Sequence, residues 1–230
     1  YSRDEMEALK TICLKHNLYL FSDEAYREFC YDGDYISAMH LTGMEEHVVL
    51  MDTISKRYSA CGARLGALVT KNKAVYAAAM KFAQARLSPP GLAQIMGEAA
   101  VDLPASYFDA PKAEYQARRD LLVKRLNAMP GVYCPNPGGA FYAMASLPID
   151  DSDTFCQWLL ESFSHEGKTV MLAPATGFYG TPGLGKNEVR LAYVLNLNDI
   201  NEAMDCLEQA LLQYPGRVQV TNRTTAAEQV

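Results

Sequence analysis

The sequence lacks three features that mark whole classes of function. No two cysteines form a Cys-x-x-Cys pair, which argues against a zinc site. There is no excess of basic charge, because the net charge is -6 at pH 7. No apolar run approaches the length that spans a bilayer. We therefore expect no metal, nucleic acid or membrane as a partner.

What is present has the composition of an ordinary globular protein. Of the 230 residues, 49% are hydrophobic and 21% are charged, which suits one large domain or two small ones with a proper core. The cysteines are scattered, at positions 13, 30, 61, 134, 156 and 206. Such usage is typical of buried, reduced thiols in a cytosolic protein, so a cytoplasmic location is expected.

The chain begins directly with a helix signal. The first residue is Tyr1 rather than methionine, and Ser2 followed by Asp4 and Glu5 has the pattern of an N-cap with an acidic first turn. No strand pattern precedes this helix. We therefore expect the chain to be a portion of something longer.

The first half of the sequence alternates helical periodicity with short apolar runs. The run at 18–21 predicts a buried parallel strand. The other predicted elements are helices at 4–16, 72–86 and 91–101 and strands at 48–51 and 65–70. This alternation predicts an α/β fold with helices covering a sheet.

A long amphipathic helix at 112–129 precedes a second, smaller α/β unit. Its predicted elements are strands at 141–146, 168–172 and 188–194 and helices at 152–164 and 199–213. We predict part of a large domain at 1–115, a small C-terminal domain at 116–215 and a frayed tail at 216–230.

Polar residues follow two of the predicted strands of the first half. Asp23 and Tyr26 come after the run at 18–21, where α/β sheets place ligand-binding groups, although an aspartate taken alone after a strand is more often the N-cap of the next helix. Ser55 and Lys56 follow the run at 48–51. A lysine beside a buried strand can lose its charge and become a nucleophile that forms a Schiff base, or it can be an ordinary loop lysine.

Two arginines complete the set of candidates. Arg64 lies between Gly62 and Gly66, where a flexible backbone could approach a ligand and the guanidinium could bind a phosphate. Arg190 lies in an alternating strand with Val189 and Leu191. Its side chain could face solvent, or it could face an interdomain cleft and bind a carboxylate in bidentate fashion.

The order of these residues resembles the class I and II aminotransferases of the pyridoxal-phosphate (PLP) fold type I, with aspartate-aminotransferase-like members closest. The matching stretches are Ser22-Asp23-Glu24-Ala25-Tyr26, Ser55-Lys56 through Gly62-Ala63-Arg64-Leu65-Gly66, Pro137-Gly138-Gly139-Ala140-Phe141-Tyr142, Leu172-Ala173-Pro174 through Gly180, and Asn187-Glu188-Val189-Arg190-Leu191. The resemblance extends from residue 1 to about residue 215, and it implies the remainder of a large-domain sheet followed by a small α/β domain.

The resemblance also implies a role for each candidate. Lys56 would form the Schiff base with PLP and then move the substrate proton. Asp23 would pair with the pyridine nitrogen and Tyr26 with the ring oxygen. The phosphate would be bound by Ser55 and Arg64, and the substrate α-carboxylate by Arg190. The reaction would be transamination between an aspartate- or glutamate-type amino acid and a 2-oxo acid, in a homodimer of the full-length enzyme.

Parts of the family pattern are absent from these 230 residues. The glycine-containing phosphate loop, the aromatic side chain that stacks on the pyridine ring and an Asn-Pro-x-Gly turn have no counterpart. We therefore expect this chain alone to bind PLP weakly and to be inactive. Two alternatives stay open for the parent protein: a PLP-dependent β-lyase and a non-catalytic regulatory domain. Arg86 could contact a side-chain carboxylate but fits better as a helix end.

Overall fold

A computed structural model describes residues 1–219 and shows two compact units that divide between Lys112 and Ala113. The elements of the first unit are α1 (Arg3–His16), β1 (Leu20–Asp23), β2 (Val48–Thr53), β3 (Gly66–Val69), α2 (Lys73–Arg86) and α3 (Gly91–Val101). Helix α4 (Asp109–Ala128) crosses the division, and the second unit continues with β4 (Tyr142–Ser146), α5 (Ser152–Glu161), β5 (Ala173–Pro174), β6 (Glu188–Ala192) and α6 (Leu197–Gln213).

Helix α1 begins at the cap that the sequence predicts. The Glu5 backbone N–H donates to the Ser2 hydroxyl at 3.3 Å, and the Ser2 N–H donates to the Glu5 carboxylate at 2.7 Å. This reciprocal pair satisfies two amides that the first turn leaves without helical partners. The helix ends at Asn17, whose φ of 52° is left-handed. One side of the helix buries Met6 and Cys13.

The first sheet has the order β1-β2-β3. Strands β1 and β2 are parallel, as predicted, and β2 and β3 are antiparallel. Leu20 and Val48 contribute to a core cluster with Met6 and Met44. The strand predicted at 18–21 is not fully buried, because Phe21, on the opposite face of β1, is 60% exposed. Strand β1 alternates between partly buried and exposed positions, so only one of its faces is covered by the described residues.

Strand β3 and the two helices after it bury few side chains. All four residues of β3 are exposed, and α2 contains no buried residue. In α3 only Ala93 is buried. Arg86 is exposed and ends α2, which agrees with its interpretation as a helix end. Within the described residues, this part of the first unit therefore has apolar side chains in contact with solvent.

The second sheet is antiparallel, with β6 between β4 and β5. Its buried face carries Ala143, Ala145, Val189 and Leu191. Helices α5 and α6 contribute side chains that are fully shielded from solvent, among them Phe155, Leu159, Leu207 and Ala210. This unit therefore has the dense core that the amphipathic helices predict.

The predicted strand at 168–172 is wrong. Glu166 and Gly167 both have positive φ angles, 51° and 76°, and turn the chain so that His165 and Lys168 exchange two backbone hydrogen bonds of 2.9 Å. The strand that pairs with β6 comes later and contains only Ala173 and Pro174. A proline cannot donate to a ladder, so it restricts the pairing to a short edge strand.

The first residues of the predicted frayed tail make defined contacts with the second unit. Arg217 pairs with Ile149 in an isolated bridge, and the Val218 N–H donates to the Pro148 carbonyl at 2.9 Å. The Tyr214 hydroxyl, two residues before the tail, donates to Asp150 at 2.9 Å and anchors this segment. Residues 220–230 of the predicted tail lie outside the described residues.

Between residues 1 and 219, no helix combines the length and the apolar character needed to cross a membrane.

The six cysteines are free, and their burial predicts very different reactivities. Cys61 is exposed, whereas Cys134 and Cys156 are buried, which raises the pKa of both thiols to about 11. At pH 8 we expect Ellman's reagent to modify Cys61 rapidly and these two thiols only after unfolding. Their neutral forms stabilise the fold fully below about pH 8.5, and this contribution is lost as the pH rises through the folded-state pKa.

The measurement is the absorbance of the thionitrobenzoate released from the reagent, followed against time with and without guanidinium chloride. A Cys61→Ser variant is the control, because it should lose the rapid phase and keep the slow one. Rapid modification of Cys134 in the folded protein would contradict this assignment.

Candidate functional site

The carboxyl ends of β1 and β2 lie at one edge of the first sheet because the strands are parallel. Asp23 is the last residue of β1, pairs in register with Met51 and is exposed. One of its carboxylate oxygens accepts the Ala25 N–H at 3.1 Å. Asp23 thus stabilises the turn that follows β1, and within the described residues no helix begins there for it to cap. The interaction occupies one oxygen of an exposed carboxylate and leaves the other available for a ligand.

Lys56 lies in a tight turn just beyond the end of β2. The Tyr58 N–H donates to the Ile54 carbonyl at 3.3 Å, and the Ser59 N–H donates to the Lys56 carbonyl at 3.2 Å. The Lys56 Nζ lies 5.7 Å from the centroid of the Tyr26 ring, within cation–π range. The structure therefore brings the lysine next to the Asp-x-x-Tyr segment, as the order of the motifs predicts.

Ser55 and Arg64 lie on two loops joined by hydrogen bonds. The Ile54 N–H donates to the Leu65 carbonyl at 3.3 Å, and the Thr53 hydroxyl lies 3.0 Å from the same carbonyl and 2.8 Å from the Ser55 hydroxyl. Arg64 has a left-handed φ of 53°, is exposed, and donates to the Cys61 carbonyl at 3.0 Å. A hydroxyl and a guanidinium thus occur on adjoining loops.

Of the two glycines near Arg64, Gly66 has a structural role in the sheet that the sequence does not show. A side chain at Gly66 would bring its Cβ to 2.7 Å from the Asp52 carbonyl, so β3 needs glycine to pair closely with β2. A Cβ at Gly62 would meet nothing within 4 Å. Gly66 is therefore required by the sheet itself, and the approach of the loop backbone to a ligand stays a prediction.

Sequence reasoning missed a buried ionic group under the lysine turn. The Arg57 side chain is 6% exposed and pairs with Asp52, and it lies 3.8 Å from the Glu28 carboxylate. Arg27 reaches the second Asp52 oxygen at 3.2 Å. Buried charges need such partners. The ion pair of Arg57 with Asp52 therefore holds the turn that carries Lys56 against the end of β2. The signal in the sequence was an aspartate inside an otherwise apolar strand, five residues before an arginine.

A second missed group lies directly after Asp23. Glu24 is 5% exposed, and its carboxylate accepts the Ser22 and Ser37 hydroxyls at 3.0 and 3.1 Å and the Ala38 N–H at 2.9 Å. The Tyr35 hydroxyl also donates to it. Burial and this hydrogen bond raise the pKa of Tyr35 above its ordinary value. Glu24 therefore closes the loop that begins with Asp23 and Tyr26.

The first unit also contains a cavity of about 470 Å³ that does not include the predicted residues. Its walls include Arg27, Glu28, Tyr35 and Asp52, and neither Asp23 nor Lys56 lines it. Because Leu50, Asp52 and Val69 lie in register on one face of the sheet, the cavity lies over that face. The candidate site is an open strand edge and not this cavity.

Arg190 belongs to the second unit, whereas the other predicted site residues belong to the first. Val189 and Leu191 are 0% and 5% exposed on the buried face of the sheet, so Arg190 lies on the opposite, open face. Its guanidinium carbon lies 4.7 Å from the centroid of the Tyr142 ring and 4.8 Å from that of Phe178. Instead of facing solvent freely, Arg190 is half-buried against two aromatic rings.

This architecture is that of solved aminotransferases. The chain superposes with a TM-score of 0.80 on aspartate aminotransferase from Thermotoga maritima, at 27% identity, covering 92% of this chain and 52% of that one. Against alanine aminotransferase from Pyrococcus furiosus the TM-score is 0.79 at 29% identity, covering 91% and 53%. The fold is thus the mixed α/β fold of PLP fold type I aminotransferases, represented over about half of its length.

Sequence comparison defines the family. The family "Aminotransferase class I and II" matches residues 1–207, and the chain belongs to it. An aspartate aminotransferase from Bacillus subtilis is 28% identical over 218 residues, which cover 91% of this chain and 53% of that protein. The chain spans about half the length of the relatives it matches.

Proposed function

We propose that this chain is part of a PLP-dependent aminotransferase that exchanges an amino group between an aspartate- or glutamate-type amino acid and a 2-oxo acid. The observation that carries the proposal is the position of Lys56, whose amine lies beside Tyr26 at the sheet edge where Asp23 ends its strand. The substrate class follows the aspartate aminotransferases among the relatives. The activity, and assembly as a homodimer, are proposed for the longer parent protein.

The chemistry of the donor set fits the cofactor. An amine, a carboxylate and a phenol occur at one strand edge, as a pyridine aldehyde requires. The Ser55 hydroxyl and the exposed Arg64 guanidinium lie on loops that are hydrogen-bonded to each other, and together they suit a phosphate dianion. Within residues 1–219 no group of three or more His, Cys, Asp or Glu side chains could hold a metal ion.

Each residue would contribute in a distinct way. PLP, when bound, supplies a reactive carbonyl and an electron sink. Lys56 would bind the cofactor covalently and, once released by the incoming amino group, take the proton from the substrate Cα and return it to the cofactor. The Asp23 carboxylate would keep a proton on the pyridine nitrogen, and the Tyr26 hydroxyl would donate to the ring oxygen. Arg190 would bind the α-carboxylate with two parallel hydrogen bonds.

The buried groups described above would position these residues. Asp52 and Arg57 hold the turn that carries Lys56, and Glu24 holds the loop that carries Tyr26. The residues of β3 and most apolar residues of α3 are exposed in the described part of the chain. We therefore expect the 230-residue chain to hold PLP weakly and to lack turnover.

The test is cofactor fixation by reduction. The chain is incubated with excess PLP, reduced with borohydride and mapped by peptide mass spectrometry, in the original sequence and in Lys56→Ala. We expect label to be concentrated on Lys56 and lost in the variant. A Lys71→Ala variant, which removes an exposed lysine of the same unit, should leave the labelling of Lys56 unchanged.

Label spread evenly over surface lysines, with no preference for Lys56, would contradict the proposal. In the longer parent protein, return of the aminated cofactor to its original absorbance on addition of a 2-oxo acid would distinguish transamination from a β-lyase reaction.

A further inference from the structure

The contacts of Arg190 differ from those of the three arginines on helix α4 of the second unit. The Arg118, Arg119 and Arg125 guanidinium groups each bind a carboxylate and a carbonyl or amide oxygen. The Arg190 guanidinium contacts two aromatic faces instead, those of Tyr142 and Phe178. Within residues 1–219 no hydrogen bond or ion pair engages it. Its N–H groups are thus available to a ligand.

The two rings reach Arg190 from different elements. Tyr142 begins β4, and its register partner on β6 is Ala192, whose small side chain leaves room for the ring to lie diagonally over Arg190. Phe178 ends a short 3-10 helix, Thr176–Phe178, that follows β5. A strand and a loop therefore bring aromatic rings to the same guanidinium, without a hydrogen bond that would occupy its edge.

The nearest carboxylate on this strand face is engaged elsewhere. Glu188 lies two residues before Arg190 on β6 and points to the same side of the sheet. The Tyr179 hydroxyl donates to it, and this hydrogen bond raises the pKa of Tyr179. Tyr179 follows Phe178 directly, so one short segment contacts the guanidinium and holds its potential internal competitor.

We propose that Tyr142 and Phe178 are positioning residues that clamp the Arg190 guanidinium by its faces and present its N–H edge to the α-carboxylate of an amino acid or 2-oxo acid. The inference rests on the proposed function, which assigns the carboxylate to Arg190. Contact with ring faces limits rotation of a long, flexible side chain while leaving its planar set of donors free. Removing one ring should weaken carboxylate binding roughly 3- to 10-fold.

The test measures Arg190 directly in the 230-residue chain. Phenylglyoxal modifies free guanidinium groups, and peptide mapping gives the modification rate at Arg190 against the concentration of L-aspartate. We expect aspartate to protect Arg190, and the protection constant to rise roughly 3- to 10-fold in Tyr142→Leu and in Phe178→Leu. Tyr142→Phe keeps the ring and should retain the original constant. Arg118, which faces Tyr115 but is paired with Glu114, is the internal control and should not be protected.

Unchanged protection constants in both leucine variants would overturn the clamp, as would the absence of protection in the original chain. Far-UV circular dichroism shows whether each variant is folded. If a leucine variant is not folded, Tyr142→Met or Phe178→Met removes the ring with a flexible side chain that repacks more readily. Failure of the proposed function has a separate signature, which is loss of the selective reduction of PLP onto Lys56. The clamp can therefore fail while Lys56 labelling stays intact.

Discussion

Replacing Leu207 with alanine is expected to lower the free energy of unfolding by about 3 to 4 kcal/mol, because the deletion leaves a cavity in a packed core. Leu207 is 0% exposed on α6, in a unit where Leu126, Leu159 and Val189 are equally buried. The measurement is urea unfolding followed by the fluorescence of Trp158, the single tryptophan of the chain, which lies in the same unit.

The same helix provides the matched control. Leu212 is 58% exposed, so Leu212→Ala removes the same atoms from a solvent-facing position. It should change stability by less than about 0.5 kcal/mol. Equal shifts in the two variants would show that the buried face of α6 is assigned incorrectly.

Replacing Glu24 with alanine should cost about 3 kcal/mol, because buried donors lose a charged acceptor. The Ser37 hydroxyl, the Tyr35 hydroxyl and the Ala38 N–H all donate to this carboxylate. The most direct measurement is hydrogen exchange at the Ala38 amide, which should become much faster. Circular dichroism in urea should show the accompanying loss of stability.

Glu46 is the matched control for this second change, because it is an exposed glutamate of the same unit. Glu46→Ala should leave exchange at Ala38 and the urea midpoint nearly unchanged. An unaltered Ala38 exchange rate in Glu24→Ala would refute the role of Glu24 in closing the loop.

The sequence was most informative where local chemistry decides the structure. The capping pattern of Ser2 and Glu5 located the N-cap of α1, which begins one residue before the predicted range, since such caps depend on neighbours a few positions away. Apolar runs located β1 and β2, and an alternating pattern located β6. The run at 168–172 misled because composition alone does not show that Glu166 and Gly167 adopt left-handed conformations and turn the chain.

Part of the candidate site followed from motif order, and part did not. The resemblance to the aminotransferases implied that Asp23 and Lys56 act on one cofactor, and the parallel pairing of β1 with β2 places their strand ends at one sheet edge. The Glu24 cluster joins residues 11 to 14 positions apart across an irregular loop. No periodicity encodes such a contact. The rings beside Arg190 are likewise distant from it in the sequence, and the register of β4 with β6 that places Tyr142 on the same face is known only from the structure.

The central position of β6 has a consequence for binding at Arg190. Arg190 pairs with Met144 on β4 and with Ala173 on β5, so the backbone of Arg190 is constrained from both sides. When a ligand binds at a backbone that is already fixed, little conformational entropy of the protein is lost on binding. More of the interaction energy then contributes to the affinity. The second unit thus offers a carboxylate-binding group whose main chain is preorganised, and only the side chain remains to be ordered by its surroundings.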